Sequence, residues 1–224
     1  LIAIERRVIG MKEFFKKVGL RAFDSVRGEL IGVVGFVGAV WLGFILSAFS
    51  PLENWLDLEP RRLAGIPGII GMPFLHADLE HIVANSFPLF VLLALLAGSR
   101  ANSARIVASL ILVTGTLSWL ALGVFSSEPT RYVGASGLVF ALIGFLIAAG
   151  FLERRPIPLL ISIIVGVMYG WTTITGVLPL SKTTSELAHF YGLISGVGIA
   201  YVMSLTDQGK SDGPLTKSLE DVVS

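Results

Sequence analysis

Six apolar stretches, each close to the length that crosses a lipid bilayer, decide what this chain can fold into. They lie at about residues 30–50, 80–98, 104–125, 136–152, 157–178 and 187–205. A helix needs ~20 apolar residues to cross about 30 Å of hydrocarbon, whereas a barrel strand needs only ~10. Runs of this length therefore select helices, which satisfy their own backbone where water is absent. The second and fourth stretches look short for the task. Composition agrees: 54% of the 224 residues are hydrophobic and 15% charged, too little polar surface for a soluble domain of this size. The expected fold is an all-α membrane protein of six spans, with no internal repeat and no soluble second domain. Cysteine is absent, which removes disulfides, a thiolate nucleophile and Cys-type metal sites from consideration.

Three regions are expected. Residues 1–29 carry Arg6, Arg7, Lys12, Lys16, Lys17, Arg21 and Arg27, with Ile4, Val8, Met11, Phe14, Phe15 and Val18 at helical spacing. That pattern reads as a basic amphipathic helix on a membrane surface. The interspersed Glu5, Glu13, Asp24 and Glu29 argue against a mitochondrial presequence. Residues 30–205 hold the spans, and 206–224 form a polar tail. Thirteen Lys and Arg fall on the side of the termini, against four (Arg61, Arg62, Arg131, Lys182) on the other. Positive charge concentrates on the cytoplasmic side, so both termini are expected there, in a multi-pass protein of a prokaryotic plasma membrane. The connection from 51 to 79 is too long for a turn and is amphipathic, which suits a segment dipping into the interface.

Against this apolar background a few polar residues stand out. His81 and Asn85 in "HADLEHIVANS" share a face of the second span. Ser136 in "YVGASGLVFALIGFL" opens the fourth, and His189 in "LAHFYGLISG" opens the sixth. The topology puts all of these at the extracytoplasmic ends of their helices, with His76 just before the second span. Such groups in hydrocarbon usually face the bundle interior and carry function. A serine hydroxyl becomes a nucleophile when a base takes its proton, and imidazole is the usual base near neutral pH. Ser136 and His189 can form that pair if their helices touch. Small residues allow it: Gly137, Ala141 and Gly144 on one span, and Ala188, Gly192 and Gly196 on the other. Donors for an oxyanion could come from His81, Asn85 and the Ser136 N–H at a helix N-terminus. No third carboxylate of a triad is evident, so the economical reading is a Ser–His dyad.

At these residues the chain resembles the rhomboid family of intramembrane serine proteases. The likeness rests on G-x-S-G at Gly134 to Gly137, on H-x4-H-x3-N at His76, His81 and Asn85, and on A-H-x2-G-x3-G from Ala188 to Gly196. It implies a six-transmembrane-helix bundle with a long interfacial first outer loop and an active site sunk in a water-filled cavity. It implies a serine endopeptidase that cleaves transmembrane or juxtamembrane segments of other membrane proteins. Ser136 would be the nucleophile, His189 the general base, and His81, Asn85 and the Ser136 N–H the oxyanion site. Gly134, Gly137, Gly192 and Gly196 would pack the helices around it.

The chain departs from the family at two points. Arg61-Arg62 stands in the first outer loop without an adjacent Trp, and Phe140 occupies the position where a tyrosine often stacks on the catalytic histidine. Pro88 should kink the second span or free a carbonyl. Substrates should carry helix-weakening residues near the cut, since a helical peptide bond is screened until it unwinds. Their lateral path would run past Trp171 and the threonines Thr172, Thr173 and Thr175, which makes the fifth span a candidate gate; Trp171 as a plain interfacial anchor is the alternative. Neither a cofactor, a metal nor a nucleic acid is expected; the partners are membrane-protein substrates and the lipid bilayer.

Other readings compete. A small-solute transporter would string charged residues through the bilayer depth, and the spans lack them. A catalytically inactive relative that binds membrane clients would typically have lost the serine or the histidine. A zinc site built from three histidines would leave Ser136 idle.

Overall fold

The computed structural model describes residues 27–100, 102–122, 131–177 and 184–206. The expected surface segment up to residue 26, and the tail from 207, lie outside the described residues. Among these, six helices are long and apolar enough to cross a membrane: α1 (Arg27–Ser47), α4 (Leu79–Ser99), α5 (Ser103–Ala121), α6 (Ser136–Glu153), α7 (Pro156–Val177) and α8 (Thr184–Ser204). Two short helices, α2 (Glu53–Leu56) and α3 (Gly68–Gly71), lie in the connection after α1. The protein is thus an all-α, six-span membrane protein. The second span is not short: α4 has 21 residues. Asp78 caps its start by accepting from the His81 N–H at 2.8 Å, and the helix continues through Pro88 to Ser99. The proline cannot donate to the Ala84 carbonyl but does not end the helix. The last part of the third stretch, beyond Leu122, lies outside the described residues.

α6 is the axis of the bundle. It packs against α4, α5, α7 and α8, and 67% of it is buried. Its contact with α8 is backbone against backbone. A Cβ on Gly192 would overlap the Gly137 carbonyl, one on Gly196 the Ala141 carbonyl, and one on Gly144 would stand 2.5 Å from the Leu193 carbonyl oxygen. Only glycine permits that approach, which brings long stretches of both helices into dispersion contact.

The opposite end of α6 is tied to α4. Arg100, buried at the C-cap of α4, makes an ion pair with Glu153, and its guanidinium lies over the Phe145 ring, 5.4 Å from the centroid. A buried charge needs such partners, because its desolvation is otherwise uncompensated.

The connection between α1 and α4 folds back on the bundle. Gly65, Gly68 and Gly71 press against the backbone of residues 56–59, while Leu58, Met72 and Leu75 are buried. Trp55, Leu63, Ile66 and Ile70 remain exposed, an apolar outer face that suits a bilayer interface. Leu58 and Tyr132 exchange backbone hydrogen bonds at 3.0 Å, which joins this connection to the strand of chain leading to Ser136. Arg131 adds ion pairs to Asp57 (3.2 Å) and Glu59 (3.3 Å). Burial holds the Asp57 carboxyl above its ordinary pKa, against the pull of Arg131. The tryptophan missing beside Arg61-Arg62 is supplied from elsewhere. Trp119 of α5 donates its indole N–H to the Arg62 carbonyl (2.9 Å), and the Arg61 N–H donates to the Trp119 carbonyl (3.0 Å).

Candidate active site

Ser136 is the first residue of α6 and is half-buried. The turn before it is held from three directions. Gly134 sits at φ 122°, open to glycine alone, and its N–H donates to the Met72 carbonyl at 2.9 Å. The Ala135 N–H donates to Nε2 of His76 at 3.3 Å. The Ala135 carbonyl accepts from the Val139 N–H at 3.0 Å, the first turn of the helix. No side chain caps α6, so its first amides point unscreened out of the helix N-terminus, where partial positive charge collects.

His81 reaches this turn from α4, with Asn85 one turn further along the same helix. The His81 ring lies against Gly134 so closely that a Cβ there would stand 2.7 Å from its Cε1. Gly134 is therefore required twice, for its backbone angle and for room. Asn85 is buried and donates one amide hydrogen to the His81 carbonyl at 3.0 Å, which fixes the side chain and leaves its second hydrogen available. The His76 ring meets the His81 ring edge-on at 5.0 Å. Burial pushes His76 down to a pKa of about 4, helped by the neighbouring His81 and opposed by Asp78. A neutral ring is what its bond to Ala135 requires, because Nε2 must offer a lone pair.

His189 lies in the second turn of α8 rather than at its start. Its ring is stacked flat on Phe140 of α6, with centroids 4.2 Å apart and planes 5° apart. Its Nδ1 lies 3.1 Å from the Gly176 carbonyl oxygen in the last turn of α7. A carbonyl can only accept, so in the neutral ring Nδ1 carries the proton and Nε2 is left as the base. The final carbonyls of a helix have no intrahelical donor and carry partial negative charge. The end of α7 thus offers an acceptor where a triad would place a carboxylate. Gly176 must be small, since a Cβ there would stand 2.6 Å from Cζ of Phe140.

The structure therefore gathers Ser136, His81 and Asn85 at one end of the bundle, with His189 beside Phe140 one turn further along α6. Two participants escaped the reading of the sequence. One is His76, for which only a place in a motif was noted. The other is the Gly176 carbonyl, a backbone atom that no residue pattern announces. Trp171 stands apart from this group on the C-terminal half of α7, 77% exposed. Nearby, Thr173 and Thr175 donate their hydroxyls to the helix's own carbonyls of Tyr169 (2.7 Å) and Trp171 (3.0 Å).

Comparison with known proteins converges on the same region. The rhomboid domain family matches residues 65–206, from the first outer connection to the end of α8. Uncharacterized proteins of Mycobacterium tuberculosis and Mycobacterium bovis are each 31% identical over 184 residues, covering 79% of this chain and 75% of theirs. An uncharacterized Mycobacterium leprae protein is 34% identical over 146 residues, covering 63% of this chain and 57% of its own. Six apolar helices and a domain match that spans more than half of the chain lead to one conclusion: this multi-pass membrane protein belongs to the rhomboid family.

Proposed function

We propose that this protein is an intramembrane serine endopeptidase, with Ser136 as nucleophile and His189 as general base. The observation that carries the reading is the fixed state of His189: stacked on Phe140, with Nδ1 tied to the Gly176 carbonyl and Nε2 free to accept a proton. In the first step Nε2 takes the Ser136 proton as Oγ attacks the scissile carbonyl carbon. Negative charge moves to the carbonyl oxygen, where the Ser136 N–H, His81 and Asn85 are the candidate donors. The imidazolium then gives its proton to the leaving amine and the peptide bond breaks. Water, deprotonated by His189, attacks the acyl-enzyme, and Ser136 recovers its proton as the new carboxyl group departs. The sequence of steps is a hydrolysis and needs no cofactor.

The substrates are segments of other membrane proteins that unwind easily at the cut. The distribution of Lys and Arg supports an orientation with both termini cytoplasmic and the Ser136 end outside, and the bacterial relatives support a plasma-membrane location.

Labelling of the detergent-solubilised protein by a fluorophosphonate probe tests the reading. Wild type should be labelled and Ser136→Ala should not. His189→Ala should fall to the same background, and the double variant should be no worse than either single one, because the two residues act as a unit. Labelling that survives in Ser136→Ala, or no labelling of a folded wild type, would favour an inactive client-binding relative.

A further inference from the structure

Gly28 and Gly32 of α1 behave unlike Gly192 and Gly196 of α8. Gly28 and Gly32 line a slot of about 320 Å³ between α1, α4 and α5, facing Ala97, Ala104 and Ala108, with Phe36 on its wall. A Cβ on Gly28 or Gly32 would meet no atom within 4 Å. Small residues on both walls have here left a gap instead of a close contact. The gap is held open from two sides. Across its mouth Ser103 donates to the Glu29 carboxylate at 2.9 Å. Further along α1, the Trp41 indole donates to Ser86 at 2.9 Å, and Gly43 presses on the Phe74 carbonyl. Helix α1 is thus pinned at both ends and cannot collapse onto α4 and α5.

Two arginines adjoin lining residues in the chain. Arg27 precedes Gly28 in the chain and Arg105 follows Ala104; both are exposed and neither makes an ion pair among the described residues. The Glu29 carboxylate, itself part of the lining, is engaged by Ser103. A narrow apolar slot with a positive rim, opening at the level where the spans begin, matches an acyl chain carrying a phosphate.

We propose that the slot between α1, α4 and α5 is a binding site for one anionic glycerophospholipid, with an acyl chain along Gly28 and Gly32 and its phosphate between Arg27 and Arg105. It lies at the opposite end of the bundle from Ser136 and is separate from the chemistry there.

The test is native mass spectrometry of the full chain in detergent, titrated with phosphatidylglycerol or phosphatidylcholine of the same acyl chains. Wild type should retain one phosphatidylglycerol, in preference to phosphatidylcholine by roughly 30-fold, the ratio that two arginines near a membrane surface carry. Arg27→Gln with Arg105→Gln should bring the two lipids to equal retention. Gly32→Phe should fill the slot and remove both. If Gly32→Phe does not fold, Ala108→Phe closes the slot from the other wall. Equal retention by wild type, no retained lipid, or retention unchanged in the slot-filling variants would overturn the proposal, the last showing an annular lipid only.

Discussion

Helices α8 and α7 both lean on α6, and they do so in opposite ways. On α8, Gly192 and Gly196 sit directly on the carbonyls of Gly137 and Ala141, so the helix carrying His189 cannot shift against the helix carrying Ser136 without losing that fit. On α7 the first half is fastened through side chains and the last turn through Gly176, with an open stretch of helix face between them. Ser162 donates to the Ile147 carbonyl at 3.1 Å, and Gly150 receives Ser162 and Pro158. Further along, a Cβ on Gly166 or Gly170 would meet nothing within 4 Å, and Val167 and Trp171 face outward. The same residue type is in tight contact at Gly192 and Gly196 and in open space at Gly166 and Gly170. Glycine in a membrane helix permits contact, but the facing residue decides whether contact occurs.

The largest effect should come from the side chains that α4 brings toward Ser136, on the fixed framework of α6. His81→Ala and Asn85→Ala should each lower kcat by about 10²–10³-fold with little change in KM, as expected when a donor to a transition-state oxyanion is lost. Wild-type turnover in both variants and in their combination would remove these side chains from the oxyanion site.

Next is the support under the serine turn. His76 is depressed to about 4 from an ordinary 6.5, so the folded state disfavours its protonation. Between those values the unfolded chain binds more protons than the folded one. Stability should therefore be at its full value above about pH 6.5 and fall as pH drops toward 4, by on the order of 2–3 kcal/mol. Thermal unfolding against pH should show that loss in wild type and its absence in His76→Ala, which should be less stable at neutral pH. The same acid dependence in the variant would assign it to another group.

The matched pair Gly196→Ala and Gly170→Ala tests the contrast directly. The first forces a methyl into the Ala141 carbonyl and should cost about 1–3 kcal/mol. The second enters open space and should be neutral, or stabilise the helix by up to about 1 kcal/mol. Equal melting temperatures would erase the distinction between the two interfaces.

The smallest effect is expected at Trp171. If the outer half of α7 is the path for substrates, Trp171→Ala should speed cleavage of a transmembrane substrate a few-fold and leave probe labelling of Ser136 unchanged. Cleavage at the wild-type rate would leave Trp171 as an interfacial anchor.

Much of the fold could be read from the chain because length and hydropathy determine membrane spans directly. Boundaries were less secure: α4 starts at Leu79 behind the Asp78 cap and ends at Ser99, one residue beyond the expected run at each end. The gathering of His81, Asn85, Ser136 and His189 followed from which helix ends share a side. What could not be read depends on long-range partners. Trp119 meets Arg61 and Arg62 across more than fifty positions in the chain. The glycines of α1, α7 and α8 look alike in sequence and differ only in what faces them. Gly176 acts through a carbonyl that every residue possesses, and its place at a helix end selects it.

The bond from His189 to Gly176 gives α7 a second duty. The helix whose Gly166 and Gly170 face open space also carries, at its last turn, the acceptor that keeps the proton on Nδ1. If a substrate wedges that turn aside, the imidazole loses its orientation and its assigned tautomer, and Ser136 loses its base. On the proposed mechanism, chemistry would resume only when the turn settles back around the docked chain. Such an arrangement would work as an interlock, in which opening to the lipid and readiness for hydrolysis exclude each other.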